Sequence, residues 1–235
     1  MSARLVFVHS PLLGPESWAP VSQEMVARGW EVAAPELRDV GRSPYWRQHA
    51  ESVTGGLRTD SEGLVLIAHS GAGPLLAAIA DELRERVLAL FFVDAGMPKD
   101  QASRLDLLRT EMGDDFADGF TARLRSGGRY PQWGDADLAP SIRDPAVRGA
   151  VLASQRPRPV DFWTEAVSAP GDWMQLPCAY LQLSAGYGQP ARRASEMGWP
   201  MIERASNHFA ILTEPALVAA DLEALLGRVR VERPS

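Results

Sequence analysis

The chain has 235 residues, 24 basic and 30 acidic, for a formal net charge of -6 at pH 7. That balance, with no basic cluster, argues against nucleic acid as a partner, and the apolar runs stay under the ~18–20 residues of a membrane span. Its length suits one α/β domain carrying an insertion, large enough to bury roughly 70–75% of its unfolded surface without a metal or disulfide staple.

Cys178 is the single cysteine, so no internal disulfide can form. With no charged-then-apolar leader before the strand-like run that begins at Leu5, a cytoplasmic location is expected. Lys99 is the sole lysine; the arginine-rich remainder is what a GC-rich coding bias produces. No metal or cofactor is expected, and the expected partner is a small-molecule substrate met by a monomer or homodimer, away from membranes.

In chain order, RLVFVHS (4–10) is a continuous apolar run, ESWAPVSQEMVARG (16–29) has helical periodicity, and WEVAAPEL (30–37) reads as a second strand. A proline-bearing loop leads to YWRQHAESVTGGLRTD (45–60), a helix frayed by Gly55 and Gly56. EGLVLIAHS (62–70) is then strand three, GPLLAAIADELRER (73–86) its helix, and VLALFFVDAG (87–96) strand four. Apolar runs separated by helices imply a parallel sheet covered on both faces, whose ligands sit at the carboxyl ends of the strands.

Residues 97–176 break the rhythm, and an excursion that long is expected to be a helical cap on a core formed by 1–96 and 177–235. The alternation resumes with CAYLQLS (178–184), a short helix near 190–197, the strand WPMIERA (199–205), and a last helix over 213–229 with Thr213 as N-cap and Pro215 in its first turn.

Ala68-His69-Ser70-Gly71-Ala72 lies between a strand and a helix, with small residues around a serine. Three readings are open for this pentapeptide: a nucleophile turn, an ordinary tight turn, or a dinucleotide-binding turn built on Gly71 and Gly73 with Asp94 as a ribose-binding acid. Against the last, Leu76 occupies the third glycine position, and the unit is the third strand of the chain.

A serine hydroxyl needs a base, and the base an orienting acid. His208, between the final strand and the final helix, is the best placed of four histidines. His9 closes the first strand and His69 directly precedes Ser70, so both are expected beside the site, contacting substrate or hydrogen-bonding its neighbours. His49, in a polar helical stretch, is expected on the surface.

These segments together resemble the α/β-hydrolase fold nearly end to end. VFVHSPLLGPESW resembles its oxyanion loop, APELRDVGRS its Pro-x-x-Arg-x-x-Gly-x-Ser loop, AHSGAG its nucleophile turn with alanine where glycine is commoner, and NHFAILTEP its catalytic-histidine segment. The resemblance implies a three-layer α/β/α fold with a mainly parallel sheet of about six strands and a helical cap after the fourth.

It also implies a Ser70–His208 pair. The family often places its acid after the next-to-last strand, where only Glu196 is present; the other position it uses is the end of strand four, where Asp94 stands. Gly71 N–H is the expected oxyanion donor. The second normally comes from the residue occupied here by Pro11, which has no N–H, so Leu12 is expected to supply it from a displaced loop.

The chemistry implied is hydrolysis of an ester, thioester or similar acyl bond. Tyr130, Trp133, Phe162, Trp163 and Trp173 lie in the cap, with Trp133 and Trp163 expected against an apolar substrate. An acyltransferase, a lyase or cyclase, a catalytically silent binding protein and, last, a nucleotide-binding oxidoreductase are the alternatives.

Overall fold

The computed structural model describes residues 3–57 and 63–231. In chain order the elements are β1 (Ala3–Val8), α1 (Ala19–Ala27), β2 (Glu31–Ala33), α2 (Tyr45–Gly55), β3 (Gly63–Ser70), α3 (Leu76–Leu83) and β4 (Val87–Ala95). There follow β5 (Ala102–Ser103), α4 (Arg104–Met112), α5 (Asp114–Arg125), α6 (Asp135–Leu138), α7 (Pro145–Ser154), α8 (Val160–Thr164) and β6 (Ala166–Val167). The chain closes with β7 (Cys178–Gln182), α9 (Gly188–Glu196), β8 (Met201–Glu203), α10 (Ala210–Thr213) and α11 (Pro215–Arg228).

Six strands form one sheet in the order β2-β1-β3-β4-β7-β8, every neighbouring pair parallel. Side chains on a strand alternate between faces, and the central strands use both sides for apolar burial. Val6 and Val8 of β1, with Leu64, Leu66 and Ala68 of β3, face the core that contains residues of α2, α3 and α9. Leu5 and Phe7, with Val65 and Ile67, face the opposite core, closed by α1, α10 and α11. Parallel pairing with helical crossovers carries the carboxyl ends of all six strands to one rim.

The edges are shorter than their sequences suggest. Residues 30–37 supply only Glu31–Ala33 to the ladder, and 199–205 only Met201–Glu203, each near a proline that cannot donate. The first helical stretch divides into a 3-10 turn over Pro15–Trp18 and α1. Thr213, expected as the cap of the last helix, ends α10 instead; Glu214 occupies the N-cap and Pro215 opens α11. Glu62 and residues 58–60, assigned by sequence to β3 and to the end of α2, lie outside the described residues.

The excursion leaves at β4 and returns at β7. Its two ends are tied by antiparallel pairing of β5 with β6, Ala102 opposite Val167. Between them α4 to α8 build two small apolar clusters: Leu138, Ile142 and Val151 join Leu13 and Phe209, while Leu124, Phe162 and Trp163 join Tyr45. Among the described residues, no helix is long and apolar enough to cross a membrane.

Candidate active site

The site begins with backbone strain. Ser70, the last residue of β3, has φ +59°, and Asp94, near the end of β4, has φ +43°. Non-glycine residues rarely occupy this left-handed region, and they persist there where the surroundings over-determine them. The sharp exit from β3 depends on small residues: a Cβ on Gly73 would collide with the backbone oxygen of Gly96, whereas one on Gly71 would meet nothing nearer than Ser10 Oγ at 3.6 Å. Close packing therefore demands glycine at 73 more strictly than at 71.

His208 brings the strand ends together. Its Nε2 lies 3.0 Å from Ser70 Oγ and its Nδ1 2.8 Å from Asp94 Oδ2. Asp94 is fully buried, and its carboxylate also accepts the N–H groups of Leu183 (2.8 Å) and Ser184 (2.9 Å) and the Ser184 hydroxyl (2.6 Å). Burial alone pushes its pKa up; the bonds from His208, Ser184 and Leu183 outweigh that and hold it below the usual carboxylate value. These contacts fix a single tautomer: Nδ1–H donates to Asp94, leaving Nε2 free to accept the Ser70 proton.

The imidazole is sandwiched. On one side Tyr187 stacks on it at 5.0 Å and 7°; on the other His69 stacks at 4.5 Å and 28°. The Tyr187 hydroxyl is 3.2 Å from Ser70 Oγ. With the Ser70 hydroxyl directed at His208 Nε2, the Tyr187 hydroxyl is the donor in that bond. His69 Nε2–H donates to the His208 carbonyl at 3.0 Å. Burial, with His208 beside it, lowers the His69 pKa to about 3, so this neighbour is neutral.

The serine opens into a cavity of about 270 Å³, just below the usual range for ligand pockets. Of the residues expected to meet substrate, His69, Trp133 and Trp163 line it, as do Tyr130 and Phe162. Trp173 does not; it packs in the sheet core against Phe92 and Trp199.

His9 also lies outside the wall. It is fully buried, its Nε2 accepting the Leu37 N–H (2.9 Å) and its Nδ1–H donating to the Ser10 carbonyl (2.9 Å), so it stitches the end of β1 to the segment after β2. His49, expected at the surface, is fully buried as well. Its Nε2–H reaches Asp39 Oδ2 at 2.9 Å, and burial lowers its pKa to about 4. Arg158 completes that network, bonding Asp39 at 2.6 Å and the Pro11 carbonyl at 2.9 Å. A polar helix face was thus covered by the excursion, which the local pattern could not reveal.

The loop after β1 departs from its expected geometry. Leu12 N–H is bonded to Ser10 Oγ at 3.3 Å, and Ser10, Pro11, Leu12 and Gly71 all line the cavity. Glu196, the lone acid between β7 and β8, is exposed on α9. Sequence reasoning passed over Tyr187 and Ser184, although both lie in the loop after the next-to-last strand, at the rim where this sheet type places its ligands. It also passed over Arg104 and Glu111, whose spacing from Leu107 and Leu108 is that of one helix face.

A family model described as the alpha/beta hydrolase family matches residues 5–221. No curated protein matches the sequence. Among solved structures, an extracellular alpha/beta-hydrolase from a Paenibacillus species, described as sharing structural and functional homology with tobacco salicylic acid binding protein 2, superposes with a TM-score of 0.78 at 18% identity, over 96% of this chain and 99% of that one. Tomato methylketone synthase I, as its H243A variant with beta-ketoheptanoate, gives 0.72 at 15% identity over 97% and 99%. Polyneuridine aldehyde esterase gives 0.70 at 17% identity, again over 97% and 99%.

Proposed function

The chain belongs to the alpha/beta hydrolase family, and from that premise we propose that it is a serine hydrolase cleaving an ester, thioester or similar acyl bond of a small, largely apolar substrate. The observation that carries this reading is the relay Ser70 Oγ, His208 Nε2 at 3.0 Å and His208 Nδ1 to Asp94 at 2.8 Å, opening into an aromatic-lined cavity.

Ser70 Oγ attacks the acyl carbonyl while His208 Nε2 takes its proton. The imidazolium then returns that proton to the leaving alkoxide or thiolate. Water, deprotonated by the same nitrogen, attacks the acyl-enzyme, and the imidazolium returns that proton to Ser70 Oγ as the acid leaves. Asp94 holds the ring and balances the positive charge that forms on it. Neutral His69, stacked against the ring, adds no competing charge.

Negative charge on the carbonyl oxygen meets the Gly71 N–H on one side. On the other, Pro11 has no N–H to give, and the hydroxyl of Ser10, against Gly71 and held by the Leu12 N–H, is the second donor. Leu12 then contributes through Ser10. Residues 97–176 act as the cap that closes the cavity and supplies its aromatic wall.

A fluorophosphonate probe tests the relay. Labelling of Ser70 that vanishes in Ser70→Ala and weakens in His208→Ala is expected, with turnover of 4-nitrophenyl esters. A folded wild type that stays unlabelled would make this a binding protein. Labelling without ester turnover would favour acyl transfer or lyase chemistry on the same residues.

A further inference from the structure

A buried arginine in the cavity wall, with one guanidinium edge unpaired, extends this reading to a substrate class. We propose that the ester or thioester carries a carboxylate remote from its scissile bond, and that Arg104 binds it. The inference rests on the hydrolase reading for the reaction but not for the binding.

Arg104 opens α4, is 6% exposed, and lines the cavity. Its Nη1 reaches Glu165 Oε1 at 3.4 Å, a long contact for a charged pair. Glu165 is already engaged by the N–H groups of Tyr45 (2.8 Å) and Trp46 (2.9 Å) and by the Ser43 hydroxyl (3.1 Å), at the start of α2. The remaining polar atoms of Arg104, Nε and Nη2, are buried and make no hydrogen bond among the described residues.

Nε and Nη2 share one edge of the planar guanidinium, where two parallel N–H groups match the two oxygens of a carboxylate. The plane is held by stacking on Phe162, 4.1 Å from its ring centroid. Burial lowers the Arg104 pKa to about 10, which leaves it a cation at neutral pH.

The rest of α4 sets the shape of the ligand. Leu107 and Leu108 line the cavity one turn on, and Glu111 lines it a further turn on, about 10 Å from Arg104 along the helix axis. An apolar stretch with a cation at one end and a carboxyl at the other accepts an anion only at the Arg104 end. The class that fits is a half-ester or half-thioester of a dicarboxylic acid, or the ester of a hydroxy acid with its carboxylate on the alcohol side.

The test is binding to the Ser70→Ala protein, so that nothing turns over, measured by titration calorimetry. Monoethyl adipate, acetylated hydroxyhexanoate and neutral ethyl hexanoate are compared. At least tenfold tighter binding of one of the two anions over the neutral ester is expected, and which anion prevails tells the acyl from the alcohol side.

In the Arg104→Met background that ratio should fall to about one. Arg104→Lys, which keeps the charge but loses the paired edge, should lose most of it and covers the case in which the methionine variant does not fold. Equal binding of all three esters, binding of none, or a ratio that survives both substitutions overturns the proposal. Hydrolysis by wild type of charged and neutral esters at equal kcat/KM would spare the hydrolase reading and sink the carboxylate site; Arg104-dependent binding without hydrolysis would do the reverse.

Discussion

Asp94 Oδ2 sits 2.8 Å from His208 Nδ1, across 114 residues of chain. Asp94→Asn keeps the shape but removes the charge that selects the tautomer, so kcat for a 4-nitrophenyl ester is expected to fall on the order of 10⁴-fold with little change in KM. Ser184→Ala takes one charge-assisted bond from the same carboxylate, 2.6 Å long, and should cost roughly ten- to a hundredfold. Steady-state kinetics at constant pH decide both; an Asp94→Asn enzyme at near-wild-type rate would remove Asp94 from the reaction.

Tyr187 contributes a ring and a hydroxyl, and two substitutions separate them. Tyr187→Phe keeps the stack on His208 and loses only the bond to Ser70, so kcat should stay within about threefold of wild type. Tyr187→Ala frees the imidazole on one side and is expected to lose about tenfold, the worth of one stacked aromatic pair. Equal losses in the two variants would assign the effect to the hydroxyl.

The proposed donor role of Ser10 can be moved to a backbone N–H at position 11. Ser10→Ala is expected to lower kcat by about a hundredfold, the effect of removing one oxyanion donor. Adding Pro11→Ala supplies a backbone N–H and should restore part of that loss. A drop below about threefold in Ser10→Ala would hand the role to the Leu12 N–H, which the serine then no longer holds.

Burial raises the Glu111 carboxyl from 4.5 to about 7. The folded protein therefore holds this proton more tightly than the unfolded chain, so its contribution to stability is full below about pH 4.5 and is lost as the pH rises through 7. Solvent reaching the carboxyl through the cavity discounts the effect to about 1 kcal/mol, or roughly 2–4 °C in Tm for a chain of this size. Calorimetry should show Glu111→Gln melting like wild type near about pH 4.5 and higher by that margin near about pH 8.5. Coincident melting at both ends would mean that the carboxyl titrates as it does in water.

Much of the scaffold was legible because its signals are local. The alternation of Leu5 and Phe7 with Val6 and Val8, and the all-apolar run of β3, specify strands buried on two faces. The small residues around Ser70 mark the sharp turn in which it stands, and Pro215 marks the start of the last helix. Each is a property of a few consecutive residues and the backbone angles they permit.

What stands across from what belongs to the tertiary structure. The residues alone left the acid open; sheet order settled its geometry by setting β4 beside β7, so that the Leu183 and Ser184 amides close on Asp94. His49 reads as a surface residue until Asp39 bonds it and Phe162, from the excursion, packs against its ring. Arg104 and Glu111 read as ordinary charges on a polar helix until packing turns their shared face to the cavity. The physical reason is one of range: periodicity and turn chemistry act between chain neighbours, whereas burial and charge pairing depend on groups that only the folded sheet and its helical excursion bring together.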